Sequence, residues 1–383
     1  MNSRERVILA LNHKEPDRIP IDIGGTLATS MHRIVYDELK KELGIKDDIE
    51  DEILQFSLQT VIISEKMLEK LHGDILGIYP GPPKSWKIEI NPEDNSYVDE
   101  WGIKYRLPKN GWYFDMVEHP LKKVTSQSLK RFNWPDPYDE GRFEGIDKKA
   151  KYFYENTDYA ISVGKEKEFA GGVLQDCAWL VGFEEWFCLL ASNQDLAAKV
   201  MDKVLEFHIG YWDAILSRIG RYVQVAVIGD DLGTQDSLIV SPNMYRDLIK
   251  PRHKELVDFI KSKAIVKVLL HSDGAIRKII PDLIEIGIDI LNPIQPTVRG
   301  MNDTKSLKEE FGKDIVFWGG GCDTQEVLPF GKQEDVEKEV KKRIEDLKPG
   351  GGFIFAPVHN IQPEVPIQNV LTLYESALKY GHY

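Results

Sequence analysis

Residues that could perform acid–base chemistry or bind a metal ion follow directly after short apolar runs in this sequence. The clearest is His271, which comes after the run AIVKVLL and is followed closely by Asp273. Other polar residues hold the same position after other runs: Asp22, Thr26, Asp230, Asp231, Asn292, Gln295, Cys322, Asp323, His359 and Asn360. In α/β folds the carboxyl ends of the strands form the rim where ligands bind. The spacing therefore predicts one polar site built from several strand ends.

A zinc site is the first chemistry that these residue types suggest. His271, Cys322 and a carboxylate, with Asp273 as the candidate, would hold zinc through three ligands and leave a position open for substrate. His359 could be a general acid, a ligand or a hydrogen-bonded loop residue, and we favour the first; Asp231 is a further catalytic candidate. The alternatives are structural, since His271 could cap a strand and Cys322 could be a small buried thiol beneath the preceding glycine turn.

A second set of residues is expected to contact the substrate. They are Asp74, Asp230, Asn292, Gln295, Asn360 and Trp318. For Asp230 the alternatives are capping and turn formation in DDLGTQ, or support of a neighbouring catalytic residue. Trp318, like Trp179 and Trp186, could wall a pocket for an aromatic ring or could belong to the core.

The elements that would position these residues alternate between strands and helices. Apolar segments at 19–23, 75–79, 160–163, 223–228, 266–271, 288–291, 315–318 and 353–356 predict eight buried parallel strands. Eight such units separated by helices indicate an α/β fold of the (β/α)8 TIM-barrel class, with 1–383 as a single domain. A doubly wound open sheet is the alternative, but no GxGxxG follows a strand. Residues 3–12 predict an N-terminal helical extension capped by Ser3.

The segment between about 84 and 120 departs from this pattern. It alternates with period two and has turn signals at 92–95 and 109–111, so it predicts an inserted antiparallel β excursion. Tryptophan and tyrosine are frequent in it. The insertion could be an aromatic-packed structural flap, or it could be a lid or a docking surface for a partner.

The overall composition excludes several classes of partner. Lys and Arg number 49 against 62 Asp and Glu, and the net charge of −13 argues against nucleic acid or an anionic membrane as a partner. No apolar run approaches the roughly 20 residues of a membrane span, and the charged start does not resemble a signal peptide. Three cysteines without paired spacing favour free thiols in a reducing compartment. We therefore expect a cytoplasmic protein.

Several motifs together resemble the uroporphyrinogen decarboxylase superfamily. They are SRERVILALNHKEPDRIP, LHGDILGI, GDDLGTQDSLIVSPNMYRDLIKPRHKEL, HSDGAIRKIIPDLIEIGIDILNPIQ, FWGGGCDTQEVLPFG and HNIQPEVP, and they span nearly the whole chain. Within the superfamily the chain is most similar to cobalamin-dependent methyltransferases that work with a separate corrinoid protein. The resemblance implies a TIM barrel, a methyl-transfer reaction and a corrinoid supplied by that partner.

Two departures from the family pattern narrow the expected reaction. Decarboxylases of the family carry an arginine-rich loop after the first strand, which binds the carboxylates of the porphyrin substrate. Here that place reads DIGGTLATS, without arginine. Thiol-methylating members hold zinc through a His-x-Cys pair and a later cysteine. His271 and Cys322 match that pattern, but Asp273 replaces the first cysteine, which makes the site better suited to polarising oxygen.

The resemblance thus implies the first methyltransferase of an O-demethylation system. It would move a methyl group from a small methoxylated, aromatic compound to Co(I) of the partner's corrinoid. Zinc, His359 or Asp273 would assist the leaving oxygen. The alternatives are methyl transfer from methyl-corrinoid to a thiol of the coenzyme M type, a decarboxylase or lyase, and a barrel kept as a binding subunit. A homodimer is compatible with the sequence.

Overall fold

A curled sheet of seven parallel strands lies at the centre of the structure. The structure is a computed structural model that describes residues 1–46, 52–164 and 172–383. The strands in this part of the chain are β1 (Ile53–Gln55), β2 (Thr60–Val61), β3 (Ile75–Ile78), β4 (Ser96–Val98), β5 (Lys104–Arg106), β6 (Asp115–Glu118), β7 (Ala160–Val163), β8 (Val225–Gly229), β9 (Lys267–His271), β10 (Ile290–Asn292), β11 (Val316–Trp318) and β12 (Phe353–Ile354).

Helices cover the outside of this sheet. In the same part of the chain the α-helices are α1 (Ser3–Leu11), α2 (Arg33–Glu42), α3 (Glu65–Lys70), α4 (Ser126–Arg131), α5 (Ile146–Asn156), α6 (Val173–Val181), α7 (Phe183–Ser192), α8 (Gln194–Ile219), α9 (Pro242–Met244), α10 (Lys250–Lys263), α11 (Ile280–Glu285), α12 (Thr304–Phe311), α13 (Val327–Phe330), α14 (Gln333–Leu347) and α15 (Ile367–Tyr380). Shorter helical segments occupy Leu27–Thr29, Glu140–Phe143, Tyr245–Ile249 and Arg277–Ile279. None of these described helices is both long enough and apolar enough to cross a membrane.

The central sheet runs in the order β3, β7, β8, β9, β10, β11, β12. The predicted first strand, 19–23, bridges the gap between its two edges. Ile21 pairs with Phe355 in parallel. The Asp22 N–H donates to the Phe355 carbonyl at 2.7 Å, and the Asp74 N–H donates to the Ile21 carbonyl at 2.8 Å. The predicted α/β TIM barrel is confirmed, with its first strand reduced to an isolated bridge.

Apolar side chains fill the barrel interior. They are Ile75, Ala160, Val225, Val227, Leu269, Ile290, Val316, Trp318, Ile354 and Ala356, joined by Val7, Ala10 and Leu11 of α1. The predicted N-terminal helix lies at the amino ends of the strands, because the Ser3 hydroxyl donates to Asp74 just before β3 at 2.7 Å. Its cap is Asn2 rather than Ser3, since the Asn2 side chain accepts from the Glu5 N–H. The helix therefore plugs the end of the barrel opposite the predicted site.

Strands β4, β5 and β6 form the predicted antiparallel insertion. Tyr97 stacks on Tyr105 with ring centroids 4.9 Å apart, and Trp101 is buried against Phe207 of α8. The Phe114 N–H donates at 2.9 Å to a carbonyl in the turn between β1 and β2. Aromatic packing thus attaches the insertion to the barrel.

Candidate active site

His271 is held in one orientation at the end of β9. Its Nδ1 lies 2.6 Å from Oδ1 of Asn292 at the end of β10. The amide nitrogen of Asn292 donates to the Trp318 carbonyl at 2.8 Å, and because a carbonyl can only accept, the amide oxygen must face the imidazole. Nδ1 of His271 therefore carries a hydrogen, which leaves Nε2 for chemistry.

Two carboxylates and a second imidazole surround Nε2 of His271. Oδ1 of Asp231 lies 3.9 Å from this nitrogen and Oδ2 of Asp273 lies 3.8 Å from it. Nε2 of His359 is 3.8 Å from the same Asp273 oxygen, and the two imidazole centroids are 5.5 Å apart. The structure thus brings together all four residues predicted as catalytic.

Asp231 is fixed from two sides. Its Oδ2 accepts from the Gln175 amide at 2.7 Å, and its Oδ1 accepts from the Asp273 N–H at 3.0 Å. The loops that carry Asp231 and Asp273 also touch through their backbones at Gly233 and Gly274. Gly274 has a φ of +93°, and a Cβ there would lie 2.4 Å from the carbonyl carbon of Gly233. The approach of these two loops therefore requires glycine.

The surroundings favour different protonation states for these groups. Burial alone would lower the pKa of His271, but the carboxylates of Asp273 and Asp231 and the hydrogen bond that His271 donates to Asn292 raise it overall. Burial lowers the pKa of His359. Burial also raises the pKa of Asp231, although His271 opposes that shift. A proton shared by this group is therefore held on His271 in preference to His359.

Three of these side chains could hold a metal ion. One ligand atom from each of His271, Asp273 and His359 lies within 4.8 Å of the other two. Oδ1 of Asp273 is buried without a hydrogen-bond partner, which is costly for a carboxylate unless an ion or ligand contacts it. Two imidazole nitrogens and one carboxylate oxygen are a ligand set that catalytic zinc uses. The residues therefore fit zinc.

Cys322 lies apart from this group, which corrects the predicted ligand set. Its side chain is fully buried in the outer core, with Sγ 3.7 Å from the Asp323 carbonyl oxygen. Burial raises the pKa of the thiol well above its ordinary value, and among its charged neighbours are Glu339 and Arg343 of α14. The thiol therefore stays protonated. The ligand atoms that converge come from His271, Asp273 and His359.

Three residues predicted to bind substrate instead form ion pairs or hydrogen bonds with other parts of the protein, which corrects their predicted role. Asp74 lies at the amino end of β3, away from the site, and forms ion pairs with Arg6 and Arg18 at 2.7 Å each. Asp230 directs its carboxylate onto N–H groups of α6. Trp318 is buried inside the barrel, where its indole N–H donates to another buried side chain.

The remaining predicted substrate residues support the rim. Asn292 orients His271, as described above. Gln295 accepts from the Gly274 N–H at 2.9 Å through its side-chain oxygen and so holds the loop after β9. Asn360 accepts from the Ser30 N–H at 2.9 Å and also lines the cavity beside the site.

A cavity of about 180 Å³ opens beside the catalytic group. Asp231, His271 and His359 form its charged or titratable part. The other lining residues are uncharged: Thr26, Leu27, Ala28, Gln55, Leu58, Gln175, Trp179, Val227, Ile228, Gly229 and Asn360. Within the described lining there is no Arg or Lys. The cavity thus joins an apolar wall to a polar corner.

Three of these lining residues differ in whether the sequence predicted them. Trp179 is the one of the three candidate wall tryptophans that lines the cavity, whereas Trp186 and Trp318 are buried. Gln175 was missed, although it stands four residues before Trp179 and so shares its helix face. Leu58 was also missed, because its place at the cavity depends on how the β1–β2 turn packs.

A comparison with known protein families decides the family. A family model described as uroporphyrinogen decarboxylase (URO-D) matches residues 115–380. The chain belongs to the URO-D family. Among curated proteins, no sequence match was found.

Solved structures support the fold of this URO-D protein. A methyltransferase from Methanosarcina mazei superimposes with a TM-score of 0.65 at 18% sequence identity, over 99% of each chain. A xylanase 10B from Thermotoga maritima gives a TM-score of 0.36 at 11% identity, over 66% of this chain and 82% of its own. A GH113 β-1,4-mannanase gives 0.39 at 11% identity, over 94% and 98%. The last two resemblances are too distant to carry weight, and the first shows the fold alone.

In this URO-D protein the loop after the first strand is fixed by buried hydrogen bonds. The Tyr79 hydroxyl donates to the Gly24 carbonyl at 2.8 Å, and the Ser162 hydroxyl donates to the Gly25 carbonyl. The loop then presents Thr26, Leu27 and Ala28 to the cavity. The part of the cavity wall that it contributes is uncharged.

Proposed function

We propose that this URO-D protein is a corrinoid-dependent methyltransferase that removes the methyl group from a small methoxylated aromatic compound. The observation that carries the proposal is the His271–Asp273–His359 group at the edge of an apolar cavity walled by Trp179. An aromatic ring would lie against the apolar wall while its ether oxygen faces the polar corner. The Methanosarcina mazei protein of the same fold is a methyltransferase, which is consistent with this function.

Cleavage of an aryl methyl ether requires help for the leaving oxygen. As the carbon–oxygen bond breaks, its electron pair stays on the oxygen, and the resulting phenoxide must gain a proton or a cation. His271 lines the cavity, and the carboxylates of Asp231 and Asp273, 3.9 and 3.8 Å from its Nε2, favour the protonated imidazole. Transfer of that proton to the oxygen releases a neutral phenol.

The methyl group itself needs a nucleophile from outside the chain. A corrinoid carried by a separate protein would supply, when bound, Co(I), whose electron pair forms the new bond to the methyl carbon. The residues of this chain then bind the ring, direct the ether oxygen and hold the proton. Trp179 and Leu58 supply apolar contact, and His271 supplies the acid.

Zinc is the second way in which the same corner could stabilise the leaving oxygen. Held by His271, Asp273 and His359, it would supply Lewis-acid polarisation of that oxygen. Nε2 of His271 would bear the proton in the metal-free protein and hold the metal in the loaded one. Both forms place positive charge where negative charge develops.

Decarboxylation of a porphyrin precursor fits this cavity poorly. Several substrate carboxylates call for guanidinium or ammonium partners, and the described lining provides none. The volume is small as well, because dry cavities of about 150 Å³ hold a single benzene. A substituted single ring is the better match to a cavity of about 180 Å³.

Product analysis with an isotope label tests the proposal. The purified protein is incubated with cob(I)alamin and 1,2-dimethoxybenzene carrying 13C in its methyl groups. We expect equal amounts of 13C-methylcobalamin and demethylated phenol, and a rate at least about 100-fold lower for His271→Ala. Cys322→Ala, at a buried thiol outside the site, serves as the control with unchanged rate. Methyl transfer only from methylcobalamin to a thiol, or release of carbon dioxide from a porphyrinogen, would refute the proposal.

A further inference from the structure

We infer that the buried pair Asp230–His253 is a positioning device that holds the start of α6 so that the catalytic group is correctly arranged. Both side chains are buried, and Nε2 of His253 lies 2.9 Å from Oδ2 of Asp230. His253 lies on α10, outside the barrel, and is absent from the described cavity lining. The inference deepens the proposed function and rests on it for its kinetic consequence, whereas its structural consequence stands alone.

The amino end of α6 receives its cap from another element. The N-cap residue of α6 is Gly172, which has no side chain to accept a hydrogen bond. Asp230 supplies the acceptors, since its two oxygens accept from the Leu174 and Gln175 N–H groups at 2.8 Å each. A carboxylate at this end also interacts favourably with the helix dipole. A Cβ at Gly172 would lie 2.1 Å from the Gly229 carbonyl oxygen, so only glycine lets α6 begin this close to β8.

The first turn of α6 connects this cap to the catalytic group. The Gln175 amide donates to Oδ2 of Asp231 at 2.7 Å, and the Asp231 N–H lies 3.4 Å from the Gln175 side-chain oxygen. Asp231 in turn accepts from the Asp273 N–H at 3.0 Å. Trp179, one turn further along α6, lines the cavity. Displacement of the helix start would therefore move a carboxylate partner of His271, while Trp179 lies a full turn beyond the cap.

His253 is the third partner of the Asp230 carboxylate that caps α6. The two N–H groups of α6 hold one oxygen each of the Asp230 carboxylate, and His253 ties that carboxylate to α10. Nδ1 of His253 lies 3.4 Å from the Tyr245 hydroxyl, so the imidazole is contacted on both nitrogens. The hydrogen bonds thus run from His253 through Asp230, Gln175 and Asp231 to the loop that carries Asp273.

Amide hydrogen exchange tests this connection without assuming any reaction. In His253→Leu we expect exchange at least about tenfold faster at the Leu174 and Gln175 amides, and a similar acceleration at the Asp273 amide. Gln175→Ala should accelerate exchange at Asp273 while Leu174 stays protected. The double variant should exchange at Asp273 no faster than Gln175→Ala alone, because both substitutions break the same path.

Two further variants separate positioning from general destabilisation. Asn369→Leu is the matched control, because Asn369 of α15 is similarly buried and its amide donates to the Leu328 and Gly331 carbonyls at 2.9 Å each, away from α6. We expect it to lower stability without accelerating exchange at Asp273. His253→Gln keeps an N–H donor and should restore exchange at Asp273 to within about threefold of the unmutated protein. Unchanged exchange at Asp273 in His253→Leu, or equal acceleration in Asn369→Leu, would overturn the inference.

The kinetic consequence is a fall in turnover with little change in substrate binding. We expect His253→Leu to lower kcat by about tenfold or more, as do other substitutions of residues that orient a functional side chain. The KM should stay within about twofold of that of the unmutated protein. His253→Gln should recover most of that loss. A rise in KM alone would contradict a positioning role. Failure of methyl transfer in the unmutated protein would refute the proposed function and leave the exchange result as the decisive test of this pair.

Discussion

The two imidazoles of the site face one another across Asp273, and this geometry defines which residues should hold a metal. We expect stoichiometric zinc in the purified protein and its loss in His271→Ala and in His359→Ala, because each removes one of the three converging ligand atoms. Cys322→Ala removes a buried thiol of the outer core and should leave the zinc content unchanged. Elemental analysis after dialysis measures this. Zinc lost from Cys322→Ala but retained in His359→Ala would contradict the ligand set.

A single buried carboxylate at the first strand should give stability a pH dependence of its own. Asp22 accepts from the Gly25 N–H and from the Trp318 indole N–H at 2.7 Å each, yet burial raises its pKa to about 6. An unfolded aspartate has a pKa of about 3.9, so the folded chain binds this proton more tightly. The contribution of Asp22 to the free energy of unfolding is fully present below about pH 4 and is lost as the pH rises through about 6.

Chemical denaturation at several pH values measures this contribution. Between pH 4 and pH 7 the unmutated protein should lose on the order of 3 kcal/mol more stability than Asp22→Asn, which has no proton to release. Both proteins share the other carboxylates, so the difference between their two losses of stability reports on Asp22 alone. Equal losses in the two proteins would mean that Asp22 titrates as it does in the unfolded chain.

Residue types at the strand ends could be predicted from the sequence, but the directions of their side chains could not. His271, Asp273, Asp231 and His359 meet as expected because each lies at, or within a few residues after, the carboxyl end of a strand. Cys322 also follows a strand, but it comes after glycines at positive φ, and the sequence does not specify how such a turn aims the next side chain. Spacing alone therefore could not separate Cys322 from the ligands.

At the scale of elements, the loops after β8 and β9 must touch for the site to form. Gly274→Ala would place a Cβ 2.4 Å from Gly233 in a residue with a φ of +93°. Gly145→Ala is the matched control, because Gly145 also has positive φ, +72°, but nothing lies within 4 Å of the added Cβ. We expect a cost of about 1 kcal/mol for Gly145→Ala from backbone strain alone, and at least about 3 kcal/mol for Gly274→Ala.

Denaturation curves of the two glycine variants measure the difference. Gly274→Ala should in addition weaken zinc retention, since it displaces the loop that carries Asp273, whereas Gly145→Ala should not. Equal destabilisation by the two substitutions would show that the backbone contact between the loops carries no weight.

The order of the strands and helices was easier to predict than the long-range contacts that hold them in place. Alternating apolar and helical segments indicated all the strands of the barrel, since their β-branched runs are buried on both faces. The first of them is reduced to a bridge, which its local pattern does not reveal. The capping of α6 by Asp230 could not be predicted from the sequence for another reason. The two partners are far apart in the chain, and capping patterns involve only neighbouring residues.

At the scale of the whole molecule, we propose that the insertion is the surface that meets the corrinoid protein. The Tyr113 hydroxyl bonds to Gln362 in the loop that carries His359, and the Tyr113 ring contacts His32 edge-on at 5.8 Å. The adjacent Trp112 is 48% exposed. We predict that Trp112→Ala raises the KM for the corrinoid protein about tenfold, because exposed tryptophans are frequent anchors of interfaces.

The control reactions for this prediction use the same enzyme and a second surface residue. Transfer to free cob(I)alamin should be unaffected by Trp112→Ala, since no protein surface is then required. Val98→Ala, at a position 49% exposed on β4, should leave both reactions unchanged. Steady-state kinetics with each acceptor distinguish the cases, and an equal loss with both acceptors would place Trp112 in the folding of the insertion rather than in docking.

The central claim is that the chain takes a methyl group from an ether oxygen. It is tested most directly by the absorbance of cob(I)alamin mixed with the purified protein and a panel of methyl donors: methoxyarenes, methanol, methylamines and methylthiols. We predict conversion of the Co(I) spectrum to that of methylcobalamin with methoxyarenes, and a loss of at least about 100-fold in that rate for His271→Ala. Conversion with none of the methoxyarenes, together with demethylation of methylcobalamin by a thiol, would contradict the claim.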